Sequence, residues 1–501
     1  MNIFSYFYSI IHSFYHYYTM KTILSKITLL LLFGALLSCT KDFQEINTNP
    51  NAPVDVQPSL LLRKVLFDYN EQMSYEGFVA GNLLGQYFTA IDFNLFDRHS
   101  LTEPQYGGNA WPFIYANLRD NEILLQKSRT NPAFAVYEGP ALILKAYMAA
   151  ALTDLYGDVP YSEALSGKSG VILPNYDSQE AIYTAPGGVL ENLDMAVASI
   201  KNYKGATKLE GDIIYSGNLT KWILFANSLK IKYLMRISGK ADVKARLQAV
   251  YSEGSFIKAA TDNATYQFTA SQPNNFRMAT ARIGDYNLFI MSKTIEEILA
   301  ERQDPRVAVY FRPTATDPKI YKGLLNGPDA SKLSISVSNY SLSGAIFREN
   351  SDKLNANYMT AYETSFWLAE AAEKGFIDAS AKDWYEKGIT QAFAYWLTPL
   401  PADYLTRPQV AYKASGQNPI EQIITQKWIA SIDNGYEGWI EWRRTSYPKL
   451  KTISASLNSN LIPVRLPYPG SEAALNAAAF QAAAGKTNGN SVNVPTWWGT
   501  K

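Results

Sequence analysis

The chain has 501 residues, with 46 basic and 45 acidic side chains and a formal net charge of +1. That balance leaves no footprint for nucleic acid or for an anionic membrane surface. One cysteine and three histidines exclude a disulfide framework and a histidine-rich metal site.

Residues 1–19 hold no Lys or Arg and are crowded with Phe, Tyr and Ile, so they cannot serve as the charged start of an export signal. They read as an over-extended gene start, the alternative being an unusual aromatic extension of the signal. Met20-Lys21 looks like the true beginning. Lys21 and Lys26 precede an eleven-residue apolar core from Ile27 to Leu37, too short for a bilayer span of about 20 residues. It ends at Leu36-Leu37-Ser38-Cys39, which resembles a bacterial lipobox. Residues 20–38 are therefore expected to be a lipoprotein signal peptide, with cleavage before Cys39 and lipid on its thiol. Removing Lys21 and Lys26 takes the 46 basic residues to 44 against 45 acidic ones, a net charge near −1. His12 and His16 fall in the presequence, so His99 is the sole mature histidine. No cofactor or metal is expected. At about 463 residues the mature part exceeds one ordinary core, so two domains or one large composite are expected.

Residues 39–58 read as a lipidated tether, polar and ending in turn formers, and 59–501 as the binding domain. The run Cys39-Thr-Lys-Asp-Phe-Gln-Glu-Ile-Asn-Thr-Asn-Pro-Asn-Ala52 resembles the opening of SusD/RagB outer-membrane lipoproteins. From Ser59, placed as an N-cap, Leu62, Val65, Leu66 and Tyr69 recur at helical spacing. Gln86 to Gly108 then loses periodicity and interleaves Tyr87, Phe88, Phe93 and Phe96 with Asp92, Asn94, Asp97 and Arg98. Such a loop either docks on its own core or stacks on a ligand.

Trp111 to Lys127 reads as the next helix. Pro140 opens another, whose Leu144, Met148, Leu152 and Leu155 form a stripe beside small alanines, a surface that lets a neighbouring helix approach closely. It stops at Gly157-Asp158-Val159-Pro160, where Gly caps and Pro forbids continuation. The longer run Leu152-Thr-Asp-Leu-Tyr-Gly-Asp-Val-Pro-Tyr-Ser-Glu-Ala164 is similar to the same family. So is Asp212 to Ser238, in which Asn218 caps a helix carrying Trp222, Phe225, Leu229 and Tyr233 on one face. Between Ser255 and Tyr286 polar residues dominate, with Gln272 to Arg277 at a tip where Asn275 and Phe276 offer an amide beside a ring, the pairing a sugar site uses. A helix at Ser292 to Glu301 follows, then an irregular tract from Gly327 to Gly344.

Two helices, from about Thr360 to Lys374 and from Ala381 to Trp396, joined through Gly375, have the size of a tetratricopeptide unit without its consensus. Their Glu-rich run reads as a solvated face. Arg443 and Arg444 beside Trp439 and Trp442 offer an anion or cation–π site, although in the resembled family this stretch is structural. With Ile423 to Pro448 and Leu461 to Asn476, the resemblance covers Cys39 to about Asn476 in five separated blocks.

The resemblance implies a mainly α, SusD-like helical fold built on tetratricopeptide-like hairpins, with long irregular loops and minor β structure. It further implies a non-enzymatic nutrient-binding lipoprotein of the outer membrane, facing the exterior, that captures an oligosaccharide or a peptide for a SusC-like TonB-dependent transporter. The residues chosen for ligand contact are Tyr87, Phe93, Asn94, Phe96 and Arg98, with Asn275 and Phe276 as a second group; none is catalytic and none binds metal. The opposing expectation is a helical-toroid glycoside hydrolase at the cell surface, needing two carboxylates about 5 to 9.5 Å apart, for which Asp92, Asp97 or Asp285 are the nominees. A third is a lipoprotein that only scaffolds the transporter.

Overall fold

The computed structural model describes residues 56–101 and 107–499, with a few isolated positions before them. The Cys39 lipid site and nearly all of the expected signal and tether therefore lie outside the described residues. One compact unit runs from Gln57 to Lys501, and no described helix is long and apolar enough to cross a membrane.

The frame is a procession of helices, each packed on the one before. Helix α1 (Pro58–Glu76) packs on α2 (Trp111–Thr130), α2 on α3 (Glu138–Tyr156), α3 on α4 (Val189–Asn202) and α4 on α5 (Leu219–Ile237). Helix α5 meets α6 (Ala361–Glu373), which pairs with α7 (Ala381–Tyr395) and α8 (Pro419–Ala430), and α8 leads to α9 (Glu437–Thr445). The α6–α7 hairpin expected from repeat length is present, its turn made by Gly375 at φ 67°. Inside it, Phe366, Ala369, Tyr385, Ile389 and Phe393 form one apolar cluster.

The helix ends follow local chemistry. Asn218 caps α5 as expected, its Oδ1 accepting from the Thr220 and Lys221 amides at 3.1 and 3.3 Å. Helix α1 corrects the expected start: its N-cap is Gln57 rather than Ser59 and Pro58 opens the first turn, where a residue lacking N–H sacrifices no helical bond. Gly157 ends α3 at φ 81° and returns its amide to the Thr153 carbonyl. After α1 a π-helical segment, Gly77–Gly81, runs against the Gly435 turn, where a Cβ on Gly77 would stand 2.6 Å from the Gly435 Cα. Only side-chain-free residues allow two backbones this close.

The β structure is small and stitches distant loops. Strand β1 (Phe88–Ala90) lies inside the segment expected to be irregular, and β2 (Ala264–Gln267) within the polar tract. β1 pairs antiparallel with β3 (Phe289–Met291), Phe88 opposite Met291, and β2 pairs with β4 (Asn355–Met359). Three to five residues per strand are too few to show a period of two in sequence.

Two sequence readings of charge are overturned. Glu363 and Glu370 are fully buried instead of solvated, Glu363 bonded to Lys232 at 2.8 Å and Glu370 held by both arms of Arg444 at 2.7 and 2.5 Å. Arg444 is thereby engaged by Glu370 and Glu441 and cannot take an external anion. Arg443 stacks between Trp439 and Trp498, 4.4 and 4.7 Å from the ring centres, which is the cation–π alternative in buried form.

Candidate ligand-binding site

The loop after β1 is tied down by its own residues. The Asp97 carboxylate accepts from the Thr89 hydroxyl (2.7 Å), the Ala90 amide (3.1 Å), the Asn326 side chain (2.7 Å) and the Gly327 amide (2.7 Å). Burial pushes this acid up to about 6 against the pull of those four donors. His99, at φ 66°, sits at 3.2 Å from the Leu461 carbonyl, and its burial lowers it to about 4.

That shift carries a pH dependence. A histidine whose folded value is below its unfolded one stabilises above about 6.5 and loses that contribution as pH falls through about 4, up to about 3 kcal/mol here. Asp97, raised in the folded state, shifts stability the opposite way between its ordinary value of 3.8 and about 6. The expected outcome is therefore read as a difference: His99→Gln, compared with the parent chain in urea melts, loses less stability between pH 7 and pH 4.

Most of the residues chosen from sequence are buried. Tyr87 is 1% exposed, stacked on Trp428 at 4.1 Å with its hydroxyl donating to the Trp428 carbonyl at 2.6 Å. Phe96 lies under Gly108, leaving no room for a Cβ there. Asn94 donates to the Ala90 and Pro328 carbonyls at 3.0 and 2.6 Å. Arg98 is half-sequestered, its Nε donating to the Ala455 carbonyl at 2.9 Å. Only Phe93 among the seven is broadly exposed, at 59%. The second group is buried too: Asn275 donates to the Phe276 carbonyl, and the Phe276 ring packs against Phe78 and Phe268. The two groups share a core and not a surface, because Phe78 also packs on Phe88. A direct ligand contact by Tyr87, Asn94, Phe96, Asn275 or Phe276 does not fit this packing.

The acids nominated for hydrolysis have other work: Asp97 is buried, Asp92 accepts from the Phe93 amide and Asp285 pairs with Arg282.

A cleft of about 390 Å³ opens where that loop ends, lined by Leu101, Gly108, Asn109, Tyr156, Tyr468 and Asn490 among others. Its wall belongs to an aromatic box. Trp111 meets Tyr156 and Tyr468 edge-on at 5.1 and 6.2 Å, and Tyr176 meets Tyr468 edge-on at 5.2 Å. Asn490 fixes the Tyr468 backbone at both its amide and its carbonyl. Glu472 accepts from the Tyr176 hydroxyl at 2.8 Å and Asn476 donates to the Pro174 carbonyl at 2.8 Å, so these two polar residues close the C-terminal segment onto the box. Tyr156 and Tyr468 lie buried behind the cleft, while the exposed Asn109 amide and Ser471 hydroxyl can hydrogen-bond a sugar and Pro467 and Pro469 give it apolar surface. A second groove, about 520 Å³, runs between α2 and residues 160–169.

A family model described as "starch-binding associating with outer membrane", SusD-like, matches residues 50–469. The chain belongs to the SusD-like family. Its SusD-like, mainly α fold is shared with a SusD homologue from Bacteroides fragilis, 25% identical, covering 89% of this chain and 99% of that one at a TM-score of 0.75. A chitin-binding SusD homologue from Flavobacterium johnsoniae is 24% identical over 88% and 97% of the two chains, at a TM-score of 0.72. A chitin-binding protein is 23% identical over 89% and 100%, at 0.73. No curated protein matches this SusD-like chain by sequence.

Proposed function

We propose that this SusD-like protein is a non-enzymatic glycan receptor, anchored through lipid on Cys39 to the outer face of the outer membrane, which passes its cargo to a SusC-like TonB-dependent transporter. The observation that carries the reading is the cleft on which Asn109 and Ser471 are exposed beside Asn490, backed by the buried rings of Tyr156 and Tyr468. The starch-binding description of the family and the chitin-binding relatives support a glycan over a peptide. Apolar contact with a few hydrogen bonds supplies about 4 to 6 kcal/mol, roughly millimolar to tens of micromolar. Capture of that strength permits release.

Asn109 is exposed on the cleft, so its change tests the site without disturbing the core. Asn109→Ala is expected to weaken oligosaccharide binding about tenfold, the worth of one hydrogen bond of about 1.4 kcal/mol, with an unchanged melting temperature. Calorimetric titration of the lipid-free chain with starch and chitin oligosaccharides and with peptides checks it. Binding of peptides alone, or release of new reducing ends from the glycans, would sink the proposal. Co-purification of a TonB-dependent transporter tests the delivery step.

A further inference from the structure

Arg465 is 1% exposed, and none of its three guanidinium nitrogens has a hydrogen-bond partner. Its charge lies over the Tyr468 ring, 4.2 Å from the centre, and Tyr468 is a wall of the cleft. The one acid beside it among the described residues is engaged elsewhere. Asp158, the acid whose charge acts on it, carries Lys486 at 2.9 Å and the Gln179 amide at 3.0 Å, and so answers Arg465 only in part. A buried guanidinium with five unanswered N–H groups is costly. Its field is weakly screened by the surrounding protein and reaches across one ring into the cleft.

We infer that the cleft selects anionic glycans, with Arg465 acting through and beside Tyr468 to favour a sugar that carries a carboxylate or sulfate. This deepens the glycan-receptor reading and rests on it. Tyr468 is itself buried and separates the guanidinium from the cleft, so the cation acts on a bound anion across one ring of low-dielectric protein and not by contact, and the same field disfavours basic ligands. The anion takes up the charge that the protein leaves uncompensated, and the same sugar without its anionic group forgoes that gain.

The test uses trigalacturonic acid, its carboxyl-reduced neutral form and inorganic sulfate, titrated into the lipid-free chain. The acid form is expected to bind at least tenfold more tightly than the reduced form, with a preference that declines as sodium chloride is raised. Arg465→Met should bring the two forms to equal affinity, and Arg465→Lys should keep part of the difference. If Arg465→Met does not fold, the salt-dependent preference of the parent chain and the Arg465→Lys value decide the matter. Equal binding of both forms, or tighter binding of the reduced one, overturns anion selection and leaves the glycan receptor standing. No binding of either, or of starch and chitin oligosaccharides, overturns both. Stabilisation by sulfate alone, lost in Arg465→Met and without discrimination between the sugars, identifies a free-ion site and overturns the glycan assignment.

Discussion

Arg444→Met is expected to lower the unfolding free energy by about 3 to 5 kcal/mol, the usual consequence of removing one partner from a buried ionic group. The side chain is 5% exposed and binds two carboxylates at once, Glu370 at 2.7 and 2.5 Å and Glu441 at 3.2 and 2.7 Å. Burial alone would push both acids up; Arg444 leads the cationic neighbours that hold each of them below its ordinary value. The network continues through Lys427 to Glu441 at 3.2 Å, through Arg236 to Glu437 and Asp154 at 2.6 and 2.9 Å, and through Lys232 to Glu363. It therefore joins α3, α5, α6, α8 and α9. With Arg444 gone, Glu370 retains Lys374 at 2.8 Å and Glu441 retains Lys427, neither in a two-armed geometry. Urea denaturation should show the midpoint falling sharply. Arg444→Met combined with Glu370→Met should recover a good part of the loss, because an apolar pair of similar volume replaces a desolvated ion pair at little net cost. A double variant no better than the single one would mean that the charges stabilise by more than mutual compensation.

The buried network explains why the helices were legible and their charges were not. Ala361 to Glu373 contains aromatic and small residues on every side, and only Glu363, Glu370 and Glu373 are charged. A helix apolar all round is buried all round, so acids on it at a spacing of seven share an inward face. The apolar surround, and not the charge of the run, decides where these acids lie. On α9, Glu437, Glu441 and Arg444 likewise follow helical spacing, but which cations answer them depends on Lys232, Arg236 and Lys427 from helices far away in sequence. Pairing across such separations is set by tertiary packing and leaves no local trace.

The site was legible in part for a similar reason. The segment from Gln86 to Gly108 was rightly singled out as unusual, and it does lead to the cleft. Its rings, however, anchor the loop: Tyr87 faces Trp428 and Phe96 faces Gly108. The rings around the cleft come from α2, the end of α3 and the 467–471 segment, a box assembled from three stretches that sequence separates by up to about 360 positions. Family motifs marked Tyr156, Tyr468, Glu472 and Asn476 individually. Their meeting could be found only in three dimensions.

Asp97→Ala is expected to cost about 4 kcal/mol and to release the loop that ends at the cleft. Four donors converge on this carboxylate, three on Oδ2 and one on Oδ1, and each donor left buried without an acceptor costs roughly 1 to 3 kcal/mol, with incomplete additivity as the loop relaxes. Asp97→Asn discriminates between charge and hydrogen-bond pattern. Its amide nitrogen would confront the Asn326 side chain, which cannot turn round, because its Oδ1 accepts from Ser292 at 2.5 Å and its Nδ2 also donates to the Phe88 carbonyl at 2.8 Å. The asparagine variant should therefore be destabilised by about 1 to 3 kcal/mol despite being nearly isosteric. Both variants should be cut by protease within residues 91–101 at least ten times faster than the parent, since the loop's start is then held chiefly by Asn94 and the remaining ties, from Arg98 and His99 to Ala455, Leu457 and Leu461, lie at its end. An asparagine variant as stable and as resistant as the parent would show that shape at this position matters and acceptor capacity does not. Loss of oligosaccharide binding in the alanine variant, with the helical frame still folded by circular dichroism, is the corresponding functional result, because Leu101 at the end of that loop borders the cleft.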